Sequence, residues 1–140
     1  MRGRIGPRVI RATVFRQASI ERLLDAKHLL EAGRFQGAIY LCGYAIECEL
    51  KANCAARQIG GLDLVEAKKI GHDLRKALEK AGRGQKLFEN KDLWITFNEV
   101  VTGWSTEMRY LVTIIDEGKC KRFMRDSEDL ISWLRTQSNL

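Results

Sequence analysis

The stretch GAIYLCGYAIECELKA, Gly37 to Ala52, decides how this chain folds. It is apolar almost throughout, yet it places Glu47, Glu49 and Lys51 within five positions. With Ala38 set at zero on a helical wheel of about 100° per residue, Glu49 falls at about 20°, close to Cys42 and Asn53. Glu47 falls at about 180°, among Tyr40, Gly43, Tyr44 and Lys51. The two glutamates are therefore about 160° apart and cannot form an acid/base pair on one face. Glu49 and Asn53 are expected to be the wet edge of a largely buried helix. Glu47 then lies on the dry side, where a carboxylate needs hydrogen-bond partners or a positive charge. Lys51, four residues on, is in the favourable orientation for an ion pair. Such a pair either pins helix register or marks a polar pocket or dimer seam.

Working outward, the spacing predicts a helix over Phe35 to Arg57, broken by Gly60 and Gly61. A preceding helix starts at Thr13 or Ala18, carries Ile20, Leu23, Leu24 and Leu30 on one side, and stops at Gly33. Asp73 is placed to cap a short helix that Gly82 ends. A fourth helix is expected over about Gln85 to Thr102, and a last one over Lys119 to Leu134. AGRGQK, Ala81 to Lys86, lacks phosphate-loop spacing and reads as a connection. No strand-like alternation and no internal repeat is visible. The expected fold is all-α, an antiparallel up-and-down bundle of four to five helices. In it the Phe35 helix is central, with the first and last helices antiparallel to it. That helix is apolar on two sides, Leu41, Ala45, Cys48 and Ala52 on one and Ile39, Ile46 and Leu50 on another. One small bundle is not expected to cover both, so a two-fold homodimer is expected.

A chain of 140 residues, 45% hydrophobic and 30% charged, fits one domain with its own core. No apolar run approaches a membrane span, and no apolar segment backs the N-terminal arginines as a secretion signal would require. A cytoplasmic location is expected. Arg2, Arg4, Arg8, Arg11 and Arg16 give the first sixteen residues +5 of the total +6. Residues 1–16 thus read as a basic arm, suited to phosphates or only solubilising, and 17–140 as the bundle. Cys42, Cys48 and Cys54 step by about 240° and cannot converge on a metal. With Cys120 they are expected to be reduced, buried thiols, and neither a metal nor a cofactor is expected.

Two further stretches bear on function. GHDL, Gly71 to Leu74, sets His72 beside Asp73 at a helix start, where a histidine caps, packs or serves a site. WSTEMRY, Trp104 to Tyr110, puts Arg109 and Tyr110 on a segment explained by neither helical nor strand periodicity. Arg109 is either a functional cation or the buried counter-charge of Glu47. The candidate network is Tyr44, Glu47, Lys51, His72, Asp73, Arg109 and Tyr110.

LLEAGRFQGAIYLCGYAIECELKA, followed by GHDL and the later W…E.RY, resembles the HEPN superfamily of prokaryotic helical proteins over roughly Ala18 to Leu134. That resemblance implies a helical bundle, usually a homodimer. It also implies a toxin, a partner of a minimal nucleotidyltransferase, or a module that processes RNA or binds a nucleotide. Many HEPN ribonucleases carry an Arg followed several residues later by a His, and cleave RNA without metal across the dimer cleft. Here the only formal match is Arg22 to His28, in the first helix, where the family does not keep its motif. Arg109 with Tyr110 is the nearest positional analogue, and no histidine follows it. The expected function is a module that binds RNA, a nucleotide or a nucleotidyltransferase and lacks the standard ribonuclease motif. The alternatives are a rearranged metal-free endoribonuclease using His72 and Arg109, or an oligomeric scaffold whose basic arms touch nucleic acid.

Overall fold

The computed structural model describes residues 8–138. Its helices are α1 (Ala12–Glu31), α2 (Phe35–Ala56), α3 (Leu64–Ile70), α4 (Leu74–Ala81), α5 (Gly84–Glu89), α6 (Lys91–Gly103) and α7 (Glu117–Thr136). A 3-10 turn spans Thr106–Tyr110. The only pairing of strands among the described residues joins β1 (Val9–Ile10) to β2 (Leu62–Asp63), antiparallel. This clip ties the entry of α1 to the loop after α2. The fold is all-α.

α2 forms the axis of the bundle because almost every side of it is apolar or small. Ala38, Ala45 and Ala52 are fully buried and let neighbours approach closely, while Ile39, Ile46 and Leu50 fill the space between helices. α1 packs antiparallel on it, and the Ser19 hydroxyl crosses the seam to donate to the Ala45 carbonyl at 2.7 Å. α7 runs parallel to α2, not antiparallel as expected. Cys120, near its start, meets the Phe35 carbonyl, while the Leu134 carbonyl, near its end, accepts from Asn53. The intervening α6 reverses the chain once more, so the fourth long helix must point as the second does. The four long helices therefore run up, down, up, down.

Local signals account for the element ends. The Asp63 carboxylate accepts from Val65 and Glu66 at the start of α3, Asp73 caps α4, and Asp116 caps α7. Gly82 closes α4 at φ 69°, and a side chain there would run into the Arg57 guanidinium. The helix expected over Gln85 to Thr102 is two helices. Asn90 leaves helical geometry (φ −94°, ψ 93°), and its side chain accepts from the Leu93 N–H to start α6.

Two expectations change at the ends of α1 and α2. α1 begins at Ala12, inside the segment read as a basic arm. Arg2 and Arg4 lie outside the described residues, and Arg11 sits at the exposed N-cap of α1. Arg16 lies within the helix and points inward. Glu49 and Asn53, expected to be wet, are fully buried. Arg16 clamps the Glu49 carboxylate, Nη2 to Oε2 at 2.7 Å, and Arg135 Nε reaches Oε1 at 3.2 Å. Asn53 donates to Glu49 at 3.3 Å and accepts from Arg83 Nε at 3.0 Å. Helical periodicity reports which side is polar. It does not say whether water or a distant arginine satisfies that side. Of the residues expected to seat a second copy, Ile39, Ala45, Ile46, Leu50 and Ala52 are buried within one chain, while Leu41 and Cys48 stay partly exposed.

Candidate functional site

Glu47 sits on the side of α2 facing the start of α4 and is 4% exposed. Both carboxylate oxygens are used. Lys51 Nζ donates to Oε2 at 3.1 Å from one turn along the same helix. His72 Nδ1 meets Oε1 at 2.7 Å from the Gly71–Asp73 turn that enters α4. An ionised carboxylate only accepts, so Nδ1 carries the proton and Nε2 is left as the free ring nitrogen. The His72 side chain is 47% exposed, so the imidazole stands at the surface side of the site.

An aromatic group frames the imidazole. The Tyr44 ring meets His72 edge-on at 5.4 Å, Tyr40 at 5.1 Å and Trp104 at 5.5 Å. The Tyr40 hydroxyl donates to the Tyr44 hydroxyl at 3.3 Å, and the Trp104 indole N–H donates to the Tyr40 carbonyl at 3.0 Å. Gly43 makes this possible, because any side chain there would overlap the Trp104 ring. Burial, followed by the Tyr40 hydroxyl and the Glu47 charge, pushes the Tyr44 phenol well above its ordinary value. Tyr44 therefore stays a neutral phenol at physiological pH. Beside His72 a cleft of about 400 Å³ opens, lined by Ile70, Asp73, Leu74, Val101, Trp104, Ser105 and Thr106.

The structure brings Tyr44, Glu47, Lys51 and His72 together. Asp73 is at the exposed edge, and its carboxylate is occupied by the Lys76 N–H at 3.0 Å as the α4 cap. Arg109 is not the buried counter-charge of Glu47. It is exposed and lies 4.8 Å over the Tyr110 ring. Tyr110 and then Tyr40 favour its charged form still further. Arg109 and Tyr110 thus stand at the outer rim of the same aromatic group. Arg22 pairs with Asp25 at 3.0 Å, and His28 is exposed on α1, so that formal motif builds no site.

Sequence reasoning set Tyr40 beside Glu47 but left it out of the candidate network, and it missed Trp104. Tyr40 shares the wheel position of Glu47 and Tyr44, so its signal was present. Trp104 had none in local periodicity. No group of three or more metal-ligating side chains converges among the described residues. No helix among them is long and apolar enough to cross a membrane.

Neither a curated protein nor a solved structure matches the chain. The family model for the HEPN domain matches residues 12–137, nearly its whole length. The chain belongs to the HEPN domain family.

Proposed function

We propose that this HEPN module binds single-stranded RNA or a nucleotide on the face that runs from His72 across Tyr40 and Tyr44 to Arg109 and Tyr110. The family is generally linked to RNA binding or nuclease activity. The observation that carries the reading is the exposed Arg109 guanidinium stacked on Tyr110, which is itself 75% exposed. A planar cation and an exposed aromatic ring held together suit a phosphate and an unstacked base. His72 and the Ser105 and Thr106 hydroxyls continue that surface with hydrogen-bonding groups. A minimal nucleotidyltransferase partner rests on the family alone.

A second reading, metal-free RNA cleavage, is favoured by one specific contact. Glu47 fixes His72 with Nε2 free, the arrangement that orients an imidazole as a general base. Arg109 would then stabilise phosphate charge.

The test is a filter-binding and cleavage assay on unstructured RNA with wild type, Arg109→Ala and His72→Ala. Binding lost in Arg109→Ala, with no cleavage by wild type, supports the first reading. Cleavage that His72→Ala abolishes selects the second. Wild-type binding no tighter than that of Arg109→Ala counts against both.

A further inference from the structure

Between α6 and α7, over Ile39 of α2, opens a cleft of about 440 Å³ that shares no lining residue with the one beside His72. Its volume falls within the range of small-molecule sites, about 300–1,000 Å³. Ile39 and Val100, both buried, form its floor, and Phe123, Met108 and Ile115 form apolar walls. One side chain of α2 fixes the wall that comes from the α6–α7 connection. Gln36 Nε2 donates to the Met108 carbonyl at 2.7 Å, and Gln36 Oε1 accepts from the Thr113 N–H at 2.8 Å. The cleft is thus shaped by the chain's own hydrogen bonds.

Charge is divided along this cleft. A β-carbon on Gly103 would meet the Phe123 ring at 3.7 Å, so the two helices are level there. Glu99 and Asp126, each about one turn away on antiparallel helices, therefore stand together at one end. Lys119 lies seven residues, about 10 Å, along α7 from Asp126. Arg122 is nearer, but its guanidinium is turned back toward Gly118. A β-carbon there would be 3.5 Å from Arg122 Nη1 and 3.3 Å from Asp116 Oδ1. Among the described residues neither Glu99 nor Asp126 forms an ion pair. Burial, then the Glu99 charge, pushes the Asp126 carboxyl up against the weaker opposing pull of Arg125 and Arg122.

Two like charges at the mouth of an apolar cleft, one of them half-buried, select a cation that brings its own apolar surface. A primary ammonium has three N–H donors, enough for both carboxylates, and charge-assisted bonds are the strong ones. The other end selects an anion less well, because Lys119 is exposed and Arg122 has the Asp116 carboxylate nearby. We propose that this cleft binds a small primary amine with an apolar body, the body against Val100 and Phe123 and the ammonium between Glu99 and Asp126. The site does not depend on which ligand the His72 face takes.

The experiment is isothermal titration calorimetry of the full chain with three probes that share one body, phenylbutylamine, phenylbutanol and phenylbutyrate. The amine is expected to bind about tenfold tighter than the alcohol, the gain of one hydrogen bond to a charged group, and the carboxylate weakest. Glu99→Gln/Asp126→Asn is expected to keep the alcohol's affinity and to bring the amine down to it. Gly103→Leu, whose side chain fills the cleft beside Phe123, is expected to lose all three probes. In wild type, a carboxylate that binds tightest, an amine no tighter than the alcohol, or no binding of any probe overturns the proposal. An amine advantage that survives Glu99→Gln/Asp126→Asn overturns it as well, and so does amine binding that survives Gly103→Leu. Should Gly103→Leu fail to fold, the near-isosteric double variant decides alone.

Discussion

Arg16 and Glu49 are 33 positions apart in the chain, and the guanidinium of the first meets the fully buried carboxylate of the second at 2.7 Å. Arg135 approaches the other oxygen, and its Nη2 is buried with no partner among the described residues. Removing one member of a buried ionic group strands the others, at about 3–5 kcal/mol. Glu49→Ala should lose that much in urea unfolding. Glu47→Ala should lose less, about 1–3 kcal/mol, because half-exposed His72 can turn to water. The reverse ranking would mean that Arg16 and Arg135 rehydrate freely.

Gly43→Ala reverses the usual sign of a helical glycine substitution. In an open helix alanine gains up to ~1 kcal/mol. Here the new methyl collides with the Trp104 ring, which is 6% exposed. Overpacking of this kind costs about 1–3 kcal/mol. The variant should unfold at lower denaturant, with a changed tryptophan emission because Trp104 is displaced from the Tyr40 carbonyl. A gain in stability would show that the ring yields without loss.

Asp126 provides a pH-dependent test. Burial, then the charge of Glu99, raises its carboxyl above the ordinary value. Between the ordinary and raised values the folded chain holds more protons than the unfolded one, so this group makes stability fall as pH rises through that window. Asp126→Asn should therefore stabilise the fold at pH 7, and the gain should vanish below the ordinary carboxylate value. The group is partly exposed, which holds the effect under about 1 kcal/mol. Paired thermal melts at pH 7 and pH 3 measure it, and an equal gain at both would exclude the charge as its cause.

The thiols should be inert in the native state. Burial pushes Cys42 up to about 12, and Cys48 and Cys54 to about 11. Two units above the ordinary value leave on the order of 100-fold less thiolate at pH 8. Maleimide labelling should be slow until denaturant is added, with partly exposed Cys48 reacting first. Rapid labelling of Cys42 in the native protein would contradict the packing of α7 on α2.

The long helices and the caps at Asp73 and Gly82 were legible because they depend on neighbours within a turn. Glu47 beside Lys51 was legible for the same reason. α3 was not: its seven residues carry too few turns for a periodic signal, and only its Asp63 cap marks it. The placement of Glu49 failed for a different reason. Its partners come from α1 and α7, and no spacing within α2 encodes them. Arg109 was left between a functional cation and a buried counter-charge because its segment has no period from which burial can be read, and its exposure rules out the second. The aromatic surround of His72 needed Trp104, brought over from the end of α6.

The contacts that satisfy Glu49 also order events during synthesis. Arg16 and Glu49 leave the ribosome early, while Arg135 and Ser138, which complete the cluster, lie 86 positions beyond Glu49 and 122 beyond Arg16. A nascent chain that stops before α7 carries α1 and α2 with Arg16 on both oxygens of this carboxylate but without Arg135 over it. Closing the seam then waits until α7 arrives. The first hairpin can form early but cannot become dry on its own. Its commitment waits for α7, and a fragment lacking α7 is left with a seam free to open.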